Sequence, residues 1–341
     1  MSHMPSGNCR RDERTEIRIA GKSIYAPSAE ICGRTVVVTG KWLRKAVIKD
    51  ENVIEGQIVE DPHLFLAELK ASPLQADIFI FSQKIPNTTP KYNYPFEWDN
   101  WAVIPLTSFN DWWEKRLPQE SRRNVRRAAK RGVVVKAVPF DDELVRSIQN
   151  IYNETPIRQG RRFWHFGKDF ETVKMENATY LDRSEFLGAY FGQELIGFIK
   201  IIYLDQMATL IQIISKVAHQ DKRPTNALIA KAVEVCAQKK VNFLIYTKFV
   251  YDGDQSSALT EFKRRNGFEE ARYPRYFAPL TLKGAAAIKL GIHGGFRRLL
   301  PLSLLVRLKS FRSRVYDLRY RLRQDASKAV KETNDAMSST A

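Results

Sequence analysis

A chain of 341 residues, 44% hydrophobic and 11% aromatic, holds enough apolar side chain for about two globular cores and is neither disordered nor fibrous. No apolar run approaches the roughly 18 residues of a membrane-spanning helix, and three scattered cysteines with no Cys/His cluster give neither a disulfide framework nor metal-ligand spacing. The net charge of +17 suits phosphates, anionic lipid or nucleic acid, so a cytoplasmic protein without a metal and with an anionic partner is expected.

Residues 1–13 lack an apolar signal core and read as a flexible tail. Residues 14–106 read as a small α/β unit, with strands at 16–20, 35–39, 76–81 and 101–106 and a helix around 61–71. In that helix Asp61 and Pro62 suit the cap and first turn, and Leu64, Phe65, Leu66 and Leu69 form an apolar stripe. The proline-punctuated, aromatic stretch 83–100 is expected to be a loop. From 117 a basic helix runs to Gly132, with Arg122, Arg126 and Lys130 on one stripe and Arg123, Arg127 and Arg131 on the next. That ridge either meets phosphates or is solvated.

A strand at 133–138 and a helix near 141–152 lead into a long loop, 153–171. Three strands follow at 186–191, 195–203 and 207–215, with connections short enough for hairpins, then a helix from Pro224 to Gln238 and a strand at 242–248. This is a mixed α/β (α+β) arrangement, not a doubly wound sheet.

The loop 153–171 crowds cations around aromatic planes, which suits a phosphorylated or nucleotide-bearing ligand. Arg158, Arg161, Arg162, Trp164 and Lys168 are therefore candidate substrate-binding residues, with Tyr246 placed beside them. The alternative is that Trp164 and Phe166 plug the core and the arginines are solvated. His165 is a candidate general base; Glu154, Asp169 and Tyr246 are unranked alternatives.

The order of elements across 186–248 resembles the core of the GNAT superfamily, in which the loop after the third of these strands meets a helix N-terminus. Orphan N–H groups and the macrodipole make such an end an anion site. Here Lys222, Arg223 and Asn226 are the candidate donor-phosphate ligands, the alternative being solvated loop charges. The coenzyme A pattern of that superfamily, Arg/Gln-x-x-Gly-x-Gly/Ala, is missing, since no glycine occurs between Gly197 and Gly253. Its absence weighs towards aminoacyl-tRNA and away from acetyl-CoA as the donor.

Further on, ALTEFKRRNGF resembles the closing motif of the Fem-type branch, Leu-x-x-Phe-Lys-x-x-Phe-Gly, as Leu259, Phe262, Lys263, Asn266 and Gly267 with one substitution. Arg158-Gln159-Gly160 matches an Arg-x-Gly element of the same branch. The resemblance implies N-acyl transfer without metal or covalent enzyme intermediate. An acyl or aminoacyl group would pass from acyl-CoA (acetyl-CoA) or aminoacyl-tRNA to a small-molecule or nucleotide-linked amine, such as an envelope precursor. Phe262 and Lys263 would lie at the reaction centre, the lysine stabilising the oxyanion; otherwise Lys263, in a KRR run, is surface charge. The rival is a non-catalytic nucleic-acid-binding protein, which charge alone supports and no helix-turn-helix, zinc-finger or RNP signature accompanies.

The GNAT-like domain is placed at 107–282, with 14–106 as a reduced copy by analogy. Residues 283–323 carry eleven basic residues against one acid. Their seam of Leu304, Leu308, Phe311, Val315, Leu318 and Leu322 describes a basic amphipathic helix, packed on the body or touching an anionic membrane at its inner face. Residues 324–341 read as disordered.

Overall fold

The computed structural model describes residues 13–19, 22–158, 161–251, 253–295 and 315. The first twelve residues, the end at 324–341 and, except for Val315, the basic seam lie outside the described residues.

The chain begins with β1 (Glu13–Ile19), β2 (Lys22–Ile31), β3 (Arg34–Thr39), β4 (Lys45–Ile48), α1 (Pro62–Ala71), β5 (Ile78–Ser82) and β6 (Phe96–Pro105). A short α2 (Phe109–Asp111) passes through a π-helical turn into α3 (Gln119–Lys130), β7 (Val133–Val138) and α4 (Asp142–Tyr152). Then come the two-residue strands β8 (Ile157–Arg158) and β9 (Arg161–Arg162), α5 (Phe170–Asn177), β10 (Ser184–Phe191), β11 (Glu194–Leu204) and β12 (Met207–Ser215). The last elements are α6 (Pro224–Gln238), β13 (Phe243–Ile245), α7 (Ala258–Arg265), β14 (Glu269–Pro279) and α8 (Leu282–Lys289). Helix starts follow their caps: Asp61 accepts from the N–H groups of His63 and Leu64, Asp141 from Leu144, and Asp169 from Thr172.

Twelve strands form one sheet in the order β1-β2-β3-β4-β5-β14-β6-β13-β12-β11-β10-β7. Neighbours are antiparallel except β4–β5 and β12–β13, the two pairs joined through a crossover helix, α1 or α6. Each half is thus a meander, a helix and a parallel strand, and the strands that complete the halves are exchanged. β6 pairs with β13, and β14, from the far end of the sequence, pairs with β5; the two also pair with each other. The sheet runs unbroken across the division expected at residue 106.

Alternate residues serve opposite faces. Ala102, Ile104, Ile199 and Ile201 join residues of α3 and α6 in the largest core, whereas Trp101, Val103 and Ile202 enter a second cluster and Phe198 packs with α4 and α5. A central mixed sheet flanked by helices is the α/β fold expected from the sequence.

One irregularity positions the site. The β11–β12 register slips between Lys200–Gln212 and Ile201–Leu210, leaving Ile211 as an extra residue. A bulge bends its strand and raises the twist, and here it follows the last β12–β13 pair, Thr209 with Ile245. Beyond that pair the two strands part next to the start of α6.

Candidate active site

α7 opens at Ser257, whose hydroxyl accepts from the Thr260 N–H at 3.1 Å. One helical step later in the same direction comes Lys263, so both side chains point inward and both are fully buried. The Lys263 ammonium donates to the Lys248 carbonyl and lies 4.8 Å from the ring centre of Tyr251 and 5.5 Å from that of Tyr246. Arg264 and Arg265 turn outward and both pair with Glu261. The surface reading of the KRR run therefore holds for the two arginines and fails for Lys263.

Burial brings the Lys263 amine down to about 8, and no carboxylate opposes the shift. Lys200, on β11, is buried to the same degree and also falls to about 8. Its ammonium, however, is met by the carbonyls of Asn177 and Thr179 and by the Thr179 hydroxyl. An ammonium has three N–H donors; those of Lys200 are all answered, while Lys263 has one acceptor among the described residues. Phe262 packs on the main core with Tyr246, Ile213 and Ala227. Gly267 closes α7 at φ +77°, where a Cβ would stand 2.6 Å from Trp112 Nε1, which explains a glycine at this point of the motif.

The start of α6 lies close by. Asn226 Nδ2 donates to Asn266 Oδ1 at 3.1 Å, and the Asn266 amide in turn donates to the Phe262 carbonyl at 2.7 Å. Arg223 takes the left-handed conformation at the N-cap, Pro224 occupies the first turn, and no side chain caps the helix. Lys222 lies over the Phe191 ring at 4.8 Å and 3.5 Å from Asp221, which also pairs with Arg131; Arg223 has no ionic partner among the described residues. Of the donor-phosphate candidates, Asn226 is thereby linked through Asn266 to the Phe262 carbonyl, while Lys222 lies towards Phe191.

The 153–171 candidates form a separate group. His165 is buried, its ring 3.6 Å from Trp164, 4.1 Å from Tyr152 and 5.1 Å from Phe163 between centroids, in the cluster beneath α4 and α5. Its ring neighbours are not those of Lys263. Arg158 is committed inward: it donates to the carbonyls of Ser215 (2.8 Å) and Ile151 (3.1 Å), pairs with Glu154 and stacks on Phe163. Glu154 accepts from the N–H groups of Val217 and Ala218, so the pair ties α4 to the loop before α6. Trp164 and Phe166 are exposed, not core plugs; Lys168 sits 3.8 Å above the Trp164 ring and pairs with Glu176. Arg162 is exposed, and the side chain of Arg161 lies outside the described residues. Tyr246 belongs with Lys263, and burial pushes its hydroxyl up to about 12.

Sequence reasoning passed over Lys248, Tyr251 and Asp99, charged or polar residues in no periodic pattern. The Lys248 ammonium lies 2.7 and 3.0 Å from the two carboxylate oxygens of Asp99 on β6. Burial alone would raise the Asp99 carboxyl, but Arg275 and Lys248 hold it below the ordinary range. Arg275, on β14, also reaches Glu51 at 3.4 Å and the Ser82 hydroxyl at 3.1 Å. Asp99, Lys248 and Arg275 line a cleft of about 190 Å³ with Glu97, Trp98 and His293. Among the described residues no group of three or more His, Cys, Asp or Glu could hold a metal ion, and no helix is long and apolar enough to cross a membrane.

No family model matches the chain, and no curated protein matches it by sequence. Among solved structures, FemX superposes with a TM-score of 0.52 at 11% identity, over 81% of this chain and 89% of that one. The structure of L-PGS from Bacillus licheniformis gives 0.50 at 12% identity, over 78% of this chain and 87% of that one. With its meander, crossover helix and parting parallel strands, the chain shares the mixed α/β fold of these two structures.

Proposed function

We propose that the protein is an N-acyltransferase whose reaction centre is the space beside Lys263. An amine acceptor adds to the acyl carbon of an activated ester or thioester, the carbonyl oxygen becomes an oxyanion, and the bond to the donor's oxygen or sulfur breaks. The attacking amine loses one proton and the leaving group gains one. The carrying observation is the buried Lys263 ammonium with, among the described residues, a single protein acceptor and no counter-ion. Such a group in a water-poor site, aimed where negative charge develops, is worth about 3–4 kcal/mol to the barrier.

The donor's phosphates fit the uncapped start of α6, with Lys222, Arg223 and Asn226 around it. Arg123, Arg127 and Lys130 of the adjacent α3 are exposed and have no acidic partner among the described residues. They extend the basic surface beyond what one pyrophosphate needs, which supports aminoacyl-tRNA over acyl-CoA as the donor.

The test presents charged tRNA and, separately, acetyl-CoA with a mixture of primary amines, and reads acylated products by mass spectrometry. Lys263→Met should abolish product formation while the fold, judged by circular dichroism, is kept. Full turnover in that variant would remove the assignment.

A further inference from the structure

We infer that Asp99 is a positioning residue for Lys263, acting through Lys248; the inference rests on the reading of Lys263 given above. Among the described residues Lys263 makes one hydrogen bond, to the Lys248 carbonyl, so the place of that carbonyl sets where the ammonium points. Lys248 stands past the end of β13, in a segment that no regular ladder holds.

Three ties hold this segment to β6, at Asp99, Asn100 and Ala102, while on its other side the Phe249 carbonyl accepts from the Thr260 hydroxyl at 3.2 Å. Ala102 exchanges backbone hydrogen bonds with Tyr246 (2.8 Å) and Thr247 (2.9 Å). The Asn100 side chain accepts from the Val250 N–H at 2.8 Å and donates to the Val250 carbonyl at 3.4 Å. Between these two backbone clamps, the tie from Lys248 to β6 is made by its side chain, to Asp99.

Asp99 is itself immobilised. It is buried, its carboxylate is 3.3 Å from Arg275, and Arg275 is fixed by Glu51 and Ser82, with Glu51 accepting the Ser82 N–H at 2.6 Å. A rigid carboxylate thus holds one end of a residue whose other end holds the lysine ammonium. Because the Lys248 side chain is 43% exposed, the ion pair adds little as a surface bridge, and its use lies in orientation. Displacing a group at a reaction centre by about 1 Å costs up to about 100-fold in rate.

Asp99→Asn keeps the shape and removes the charge; Lys248→Met removes the same pair from the other side without disturbing Arg275 and Glu51. Each should lower kcat about tenfold or more with the KM for the donor unchanged. The double variant should be no worse than either single one, since both break one device, and Lys248→Arg should recover most of kcat. Independently of any substrate, labelling of Lys263 by acetic anhydride at fixed pH, read on its peptide by mass spectrometry, should quicken in both variants as the ammonium is released.

Wild-type kcat and an unchanged Lys263 labelling rate in folded Asp99→Asn and Lys248→Met would overturn the inference. If Asp99→Asn fails to fold, Lys248→Met decides alone. Full turnover in Lys263→Met would remove the acyl-transfer reading, and the labelling result would still judge the link between Asp99 and Lys263.

Discussion

A lysine taken out of water loses more in its charged form than in its neutral one, and at Lys263 no carboxylate repays the loss. Its amine therefore titrates near 8. If the ammonium is the working form, turnover should be full below that value and fall as the pH rises through about 8, against a donor of fixed charge. Stability runs the other way. Between about 8 and the ordinary lysine value the unfolded chain holds a proton at residue 263 that the folded chain lacks, so this residue makes stability rise with pH across that window. Denaturant titrations of wild type and Lys263→Met at pH 7 and 9.5 should show the difference moving in the wild type's favour at the higher pH. Within the KRR run the motif resemblance singled out Lys263, whereas periodicity could not. Thr260 and Lys263 are both polar, so the inward face of α7 looks from its composition like a solvated one. Arg158 was equally legible as a side chain that suits an anion, yet its hydrogen bonds go to Ser215 and Ile151, partners 57 and 7 residues away that no local pattern announces.

Elements with their own period or caps were readable in advance: α1 behind Asp61 and Pro62, α3 up to Gly132, the β10–β12 meander, and α6 from Pro224. Those whose existence depends on partners were not. β14 carries Pro274 and two arginines, a composition that argues against a central strand because proline cannot donate to the ladder. It forms because β5 and β6 flank it on both sides, and the Pro274 carbonyl still accepts from the Gln83 N–H at 3.0 Å. Likewise, the first half of β6 lies in a stretch whose aromatics and prolines read as a loop. At the start of α6, the helix end and its two cations should act together on the donor. Lys222→Ala with Arg223→Ala should raise the donor KM about tenfold or more with kcat little changed, measured by initial rates at low salt, and the loss should shrink as salt screens the wild-type site.

The whole sheet depends on the exchange of β6 and β14, so neither half can complete its hydrogen bonding alone. A fragment of residues 107–282 lacks β5 and β6, so β14 loses both of its neighbours and β13 keeps only β12. Such a fragment should show no cooperative thermal transition and a collapsed amide spectrum in two-dimensional NMR, whereas the full chain should melt in one step seen alike by near- and far-ultraviolet circular dichroism. The same exchange governs the birth of the protein. During synthesis β5 leaves the ribosome early, carrying Phe79 and Phe81, both fully buried in the finished fold, yet the strand that covers its edge is made about 200 residues later. At elongation rates of about 5–20 residues per second, that bare edge persists for roughly 10–40 s. An apolar strand held open so long is a template for pairing with neighbouring nascent chains, so translation speed and chaperone supply, more than the stability of the finished molecule, should set how much of this protein a cell can make.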